Sequence, residues 1–80
     1  RLLEYNEFEA IVESEISKLA PRCKKVFVLS RFEDYTNAEI AKKLNISIRT
    51  VEKHISDALK QLKASLSATE LSLMVILMFQ

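Results

Sequence analysis

The sequence predicts an all-α fold of four or five short helices, on the basis of three observations. The 80-residue chain contains no glycine and a single proline, so little in its composition opposes helix formation. Its apolar residues make up 49% of the chain and recur at helical spacing, whereas its β-branched residues are scattered. The length is sufficient for one small domain with a thin core.

Two helices are predicted in the first part of the chain. The first is expected over about residues 3–19, where apolar residues repeat with helical periodicity. Pro21 ends it and can open the second helix, expected over about residues 22–33. This second helix is apolar on more than one side, which indicates that it lies at the centre of the core. The apolar residues of the first helix are Phe8, Ile11, Val12, Ile16 and Leu19.

The segment TNAEIAKKLNISIRTVEKHIS, from Thr36 to Ser56, predicts two further helices joined by a three-residue corner. Thr36 and Glu39 have the spacing of a capping box, which begins the third helix. Asn45 suits the left-handed conformation of a tight corner, and Ser47 is the expected N-cap of the fourth helix. Two helices joined in this way form a helix-turn-helix, a motif that binds DNA.

The fourth helix has an apolar stripe on one side and a basic stripe on the other. Residues 21–66 hold ten Lys or Arg against five acidic residues, although the net charge of the chain is only +1. Such an asymmetry favours a polyanionic partner, and a basic helix in this motif can enter the major groove of DNA. The apolar stripe is Val51, Ile55, Leu59, Leu62 and Leu66, and the basic side is Arg49, Lys53, Ser56, Lys60 and Lys63.

Candidate DNA contacts follow from these positions. A lysine can donate to guanine, a serine hydroxyl can pair with several bases, and a carboxylate can accept from cytosine N4. Lys53, Ser56 and Glu52 are therefore the candidates for reading bases. The candidates for contacts with the DNA backbone are Lys42, Lys43, Arg49, Thr50, His54 and Lys60.

The sequence predicts no catalytic, metal or cofactor site. His54 is the one histidine of the chain, and it lacks companions for a metal site or a nucleophile–base pair. Cys23, the one cysteine, cannot form an internal disulfide and is expected to be a core residue in a reducing cytosol. A non-enzymatic, cytoplasmic protein is therefore expected.

The C-terminal tail is an apolar run, Leu71 to Phe79, preceded by a second capping-box pattern at Ser67 and Glu70. The pattern predicts a short fifth helix, and the run is shorter than the 20 or so residues that span a bilayer. Packing against the first two helices and association with another copy of the chain are favoured over membrane contact. We expect residues 1–66 to form the DNA-binding domain and residues 67–80 its tail.

The segment from Ala20 to Leu66 resembles region 4 of extracytoplasmic-function sigma factors, in the sigma-70 family. The pieces PRC, VF, LSRFE, EIA, TVEKHI and AL occur in the order typical of the group common in Bacteroidetes, and the similarity covers residues 7–66. The resemblance implies a winged-helix-like fold of the region 4 type. In that family the second motif helix reads the promoter −35 element, and an apolar face docks on the β flap of core RNA polymerase.

The resemblance also implies site residues and partners. By position, Glu52, Lys53, Ser56 and Asp57 are base-facing, whereas Arg49, Thr50 and His54 contact the backbone. Two departures stand out: Glu52 and Asp57 are acidic where many relatives are basic, and Asn45 takes the place of a common glycine. The chain would be the C-terminal part of a sigma factor, with a region 2 upstream and an anti-sigma factor as a further partner.

Two other functions fit the same residues. The pieces EIA and TVEKH are also typical of the LuxR-type output domains of response regulators. A receiver domain upstream of this segment would favour that class of protein. The apolar tail and the modest net charge would suit an interaction module that binds an anti-sigma factor or polymerase with little DNA contact. An enzyme is disfavoured because no convergent site is present.

Overall fold

The computed structural model describes the backbone of residues 5–78 and the side chains of residues 7–76. The helices are α1 (Tyr5–Ser17), α2 (Pro21–Arg31), α3 (Asn37–Leu44), α4 (Ile48–Ser65) and α5 (Ala68–Met78). The described residues contain no strand, so the predicted all-α fold is confirmed. None of the described helices has both the length and the apolar character needed to cross a membrane.

The first two helices end earlier than predicted. The final turn of α1 tightens, since the Leu19 N–H donates to the carbonyl of Ile16 at 3.0 Å, and regular helix stops at Ser17. Helix α2 begins at Pro21 as expected but stops at Arg31. Asp34 then adopts a left-handed conformation with φ 57°, which a helix cannot continue through. The predicted start of α1 before Tyr5 lies outside the described residues.

The corner between α3 and α4 is built as the sequence predicts. The hydroxyl of Thr36 accepts from the Glu39 N–H at 3.1 Å, and the Glu39 carboxylate accepts from the Thr36 N–H at 2.8 Å. Asn45 is left-handed, with φ 55° and ψ 50°, and Ser47 accepts from the Thr50 N–H at 3.0 Å. The backbone hydrogen bond from Thr36 lowers the pKa of the Glu39 carboxyl, so the Glu39 half of this cap is lost as the pH falls through that lowered value, whereas the Thr36 hydroxyl bond does not titrate.

The core consists of two clusters, and both α2 and α4 contribute residues to each of them. Helix α2 contributes Cys23 and Phe27 to the first cluster and Val26 and Leu29 to the second, which confirms its predicted central place. The first cluster joins α1, α2, α4 and α5 through Phe8, Val12, Ile16, Leu19, Cys23, Phe27, Ala58, Leu62, Leu66 and Met74. The second holds α3 and α4 on α2 through Val26, Leu29, Ile40, Ala41, Val51 and Ile55.

The apolar stripe of α4 is buried with one exception. Leu59 is half-buried and packs against the edge of both clusters, whereas its neighbour Ala58 is fully buried. A small side chain at Ala58 lets α4 lie close to the helices beneath it, a role that the stripe of large residues did not indicate.

Helix α5 packs on the first cluster through buried Met74 and half-buried Leu71 and Leu73. Ser67 and Glu70 form the second capping box, at 3.1 and 2.9 Å, and Met74 is buried. Val75 and Ile76 are exposed, and Phe79 lies outside the described residues. Association with another copy through this tail stays a prediction, to be decided by the mass of the chain in solution with and without residues 71–80.

Candidate nucleic-acid interface

The outer face of α4 is turned to solvent along its length. We define the outer face as the predicted base-reading residues together with Arg49 and Lys60. All of them are exposed: Arg49, Glu52, Lys53, Ser56, Asp57 and Lys60. Of the other predicted backbone contacts, Lys42 and Lys43 are exposed, whereas Thr50 and His54 are half-buried. The structure thus brings the predicted DNA contacts together on α4 and the adjacent end of α3.

Burial of the opposite side of α4 holds this face outward. Val51 is completely buried and Ile55 nearly so, and both pack in the second cluster with Ile40 of α3. Residues three or four positions apart share a side of a helix, so burial of Val51 and Ile55 turns Lys53 and Ser56 to solvent.

An ion pair lies within the outer face. The Nζ of Lys53 is 3.0 Å from Oδ2 of Asp57, and these side chains are 73% and 49% exposed. A solvent-exposed pair at this spacing contributes only about 0.3–0.5 kcal/mol to stability. The pair joins two of the predicted base-reading residues, Lys53 and Asp57. The spacing of four residues is a signal that was present in the sequence.

Two of the predicted backbone contacts already have a partner within the protein. The Thr50 hydroxyl lies 2.9 Å from the Ser47 hydroxyl, so it belongs to the helix cap. The Nζ of Lys43 lies 5.6 Å from the centroid of the Tyr35 ring, a cation–π distance. This contact holds Lys43 beside the turn that precedes α3.

Cys23 links α2 to the middle of α4. Its thiol donates to the backbone carbonyl of His54 at 3.1 Å. Burial raises the pKa of the Cys23 thiol, and the negative charge of Asp57 raises it further against the opposing charge of Lys53. A protonated, buried thiol confirms the expectation of a core residue. Among the described residues, no group of three or more His, Cys, Asp or Glu could hold a metal ion.

A groove of about 340 Å³ with a mixed polar and apolar lining runs beside the outer face, between the end of α2, the start of α3 and α4. Arg31 and Asn37 line it together with Glu52 and Ser56, which places two further polar side chains next to the candidate base-reading residues. Neither Arg31 nor Asn37 was predicted, because their helices were assigned to the core and the cap. The complete lining is Ser30, Arg31, Asn37, Glu52, Ile55, Ser56 and Leu59.

A helix-turn-helix with a tightly capped corner and an exposed outer face that carries three cations beside two carboxylates is typical of the class of helix-turn-helix DNA-binding domains. Comparison with protein families identifies the particular family within this class. The chain belongs to the family described as sigma-70, region 4, whose profile matches residues 9–62. The family has a DNA-binding role in transcription initiation and interacts with RNA polymerase. Comparisons with curated proteins and with solved structures gave no match.

Proposed function

We propose that the chain is the C-terminal part of a cytoplasmic extracytoplasmic-function sigma factor of the Bacteroidetes-like group, and that α4 reads the promoter −35 element. The observation that carries the proposal is the outer face itself. In a chain of the region 4 family, exposed Arg49, Lys53, Ser56 and Lys60 follow one side of α4, opposite its buried stripe. A helix with this polarity presents donors to the base edges and phosphates of a major groove.

Two short rows of side chains on α4 read the bases in this proposal. Glu52 and Ser56 form one row, and Lys53 and Asp57 form the other, each with a spacing of four residues. Within each row the two side chains are neighbours on the helix surface, so each row can meet adjacent base pairs. Lysine suits guanine and the carboxylates suit cytosine, which favours G·C pairs in the recognised element.

Phosphate contacts flank these rows. Arg49 stands in the first turn of α4, and Lys60 lies three turns further along. Lys42 and Lys43 occupy the last turn of α3, next to the corner. Thr50 and His54 are both half-buried, so they are placed for phosphate contacts at the border between the exposed and the buried side of α4. Cations on both sides of the reading rows would fix the helix in register while the rows carry the sequence information.

Replacing Lys53 and Arg49 by alanine tests this division. We expect Lys53→Ala to cost about 1–3 kcal/mol at the preferred site and to relax the base preference there. Arg49→Ala should weaken all duplexes alike and reduce the salt slope by about one. The measurement is promoter binding over a set of −35 variants, with the full-length protein assembled on core polymerase.

Lys18→Ala is the matched control, since it removes one exposed cation from the end of α1, where Lys18 pairs with Glu15 at 2.8 Å. Its promoter binding should equal that of the wild type. If Lys53→Ala and Arg49→Ala both bind like this control, α4 is not the recognition helix.

A second groove, between α1 and α2, supports the docking of polymerase. It has a volume of about 430 Å³, and the aromatic ring of Phe32 on its wall is partly exposed. No described residue of α5 and none of the predicted DNA contacts lines it, so DNA and polymerase can bind together. We assign this surface to the β flap and to a competing anti-sigma factor. Its lining is Glu9, Val12, Glu13, Ile16, Ser17, Lys24, Val28 and Phe32.

The change Phe32→Ser tests the docking surface. Because an exposed aromatic ring is lost from the groove wall, we expect affinity for a β-flap fragment to fall about tenfold, with DNA binding unchanged. Ile76→Ser on exposed α5 is the control. If Phe32→Ser binds the β-flap fragment as tightly as the wild type, or if Ile76→Ser loses affinity for it, the docking surface does not lie in this groove.

A further inference from the structure

The one described cation of the outer face that is held in an ion pair is Lys53, which stands in the middle of the face. Its ammonium group has three donors, and one is directed at Oδ2 of Asp57, 3.0 Å away. Arg49 and Lys60, on either side, have no ion pair among the described side chains. The central cation of the face is therefore held by a carboxylate, whereas the flanking cations have no carboxylate partner among the described side chains.

This pairing affects general and specific DNA binding differently. Non-specific affinity comes from cations that replace counterions at phosphates, and Lys53 adds less to it because it must first release the Asp57 carboxylate. The Asp57 carboxylate would also be repelled by the phosphates. A base pair that offers an acceptor to Lys53 and a donor to Asp57 can replace both partners of the ion pair at once, whereas other base pairs leave a charge unpaired.

We propose that Asp57 is a positioning residue that acts through Lys53: by holding the ammonium group, it lowers affinity for DNA in general and makes binding depend on the contacted base pair. The inference rests on the proposed function of α4 and deepens it. It gives a physical role to an acidic residue in a basic face. Specificity of this kind comes from penalising wrong partners as well as from favouring the right one.

A double-mutant cycle on Asp57 and Lys53 tests the proposal, with the full-length protein on core polymerase and two probes: promoter DNA and a duplex with a scrambled −35 element. We expect Asp57→Asn to raise affinity for the scrambled duplex about two- to threefold, since an exposed ion pair is released, and to reduce discrimination between the probes. Its salt slope should steepen by about 0.9, because one more cation reaches a phosphate.

In the Lys53→Ala background the same Asp57→Asn change should have a smaller effect on affinity for the scrambled duplex, limited to the loss of repulsion between Asp57 and the phosphates, and should leave the salt slope and the discrimination between the probes unchanged. Asp57→Glu keeps a carboxylate within reach of Lys53 and should retain the wild-type salt slope. Glu7→Gln, which removes an exposed carboxylate from α1 outside both grooves, is the matched control for net charge. Since Asp57 and Lys53 are both exposed, these variants should fold as the wild type does.

Equal effects of Asp57→Asn with and without Lys53 would overturn the inference, because Asp57 would then act only as a negative charge near DNA. That result leaves the proposed function standing if Lys53→Ala alone still weakens promoter binding. If Lys53→Ala alone changes nothing, the proposed function fails and this inference falls with it.

Discussion

Raising the salt concentration from about 50 to about 200 mM should weaken the binding of this domain to non-specific duplex DNA about 150-fold. The slope counts four exposed cations that no carboxylate pairs among the described side chains: Lys42, Lys43, Arg49 and Lys60. The Tyr35 ring beside Lys43 carries no net charge, so the full charge of this lysine can act on a phosphate. Each neutralised phosphate adds about 0.9 to the slope of log affinity against log salt, which gives a slope of about −3.6. Lys53 is left out because Asp57 holds it.

Fluorescence anisotropy at several salt concentrations measures this slope directly. Lys18→Ala again serves as the control and should leave the slope unchanged. An interaction module with little DNA contact, the rival from another functional class, would show a slope near zero. A slope shallower than about −1 would mean that fewer than two cations of the domain reach phosphates, and the outer face would then not be the DNA-binding surface.

Phe27→Ala should remove about 3–5 kcal/mol from the free energy of unfolding. Phe27 is 0% exposed in the first cluster, and its ring meets that of Phe32 edge-on at 6.2 Å. A domain of this length has a total stability of about 4–12 kcal/mol, so the variant should be largely unfolded under mild denaturant. Urea denaturation followed by helical circular dichroism measures the loss.

Phe32→Ala is the matched control, because the chemistry of the substitution is the same while Phe32 is 40% exposed. We expect it to cost less than about 1.5 kcal/mol, since much of the ring is already in contact with water. A loss below about 1.5 kcal/mol at Phe27 as well would contradict the central place of α2 in the core.

Local hydrogen bonding made the corner predictable from the sequence. Thr36 with Glu39, and Ser47 with Thr50, are bonded across three residues, so their side chains and backbone specify the caps without help from the rest of the fold. Asn45 is left-handed, as its short polar side chain permits. The ends of α1 and α2 were less predictable, because they depend on a tightened last turn and on how the following turn packs.

The features of the candidate site also fall into two groups, those that the local sequence specifies and those that depend on how the helices pack. Exposure of the outer face followed from helical periodicity opposite Val51 and Ile55, which is a local property. The contact of Cys23 with the His54 carbonyl and the groove that includes Arg31 depend on how α2 crosses α4. Such features join residues far apart in the chain, so no spacing within a single helix could have indicated them.

The most direct test of the central claim is a titration of the ¹⁵N-labelled chain with a duplex that carries a candidate −35 element, followed by the amide resonances of each helix. We expect shifts concentrated on residues 47–60 and on Lys42 and Lys43, with α1 and α5 unchanged. Shifts confined to α1 or α5, with α4 unaffected, would contradict recognition of DNA by this helix.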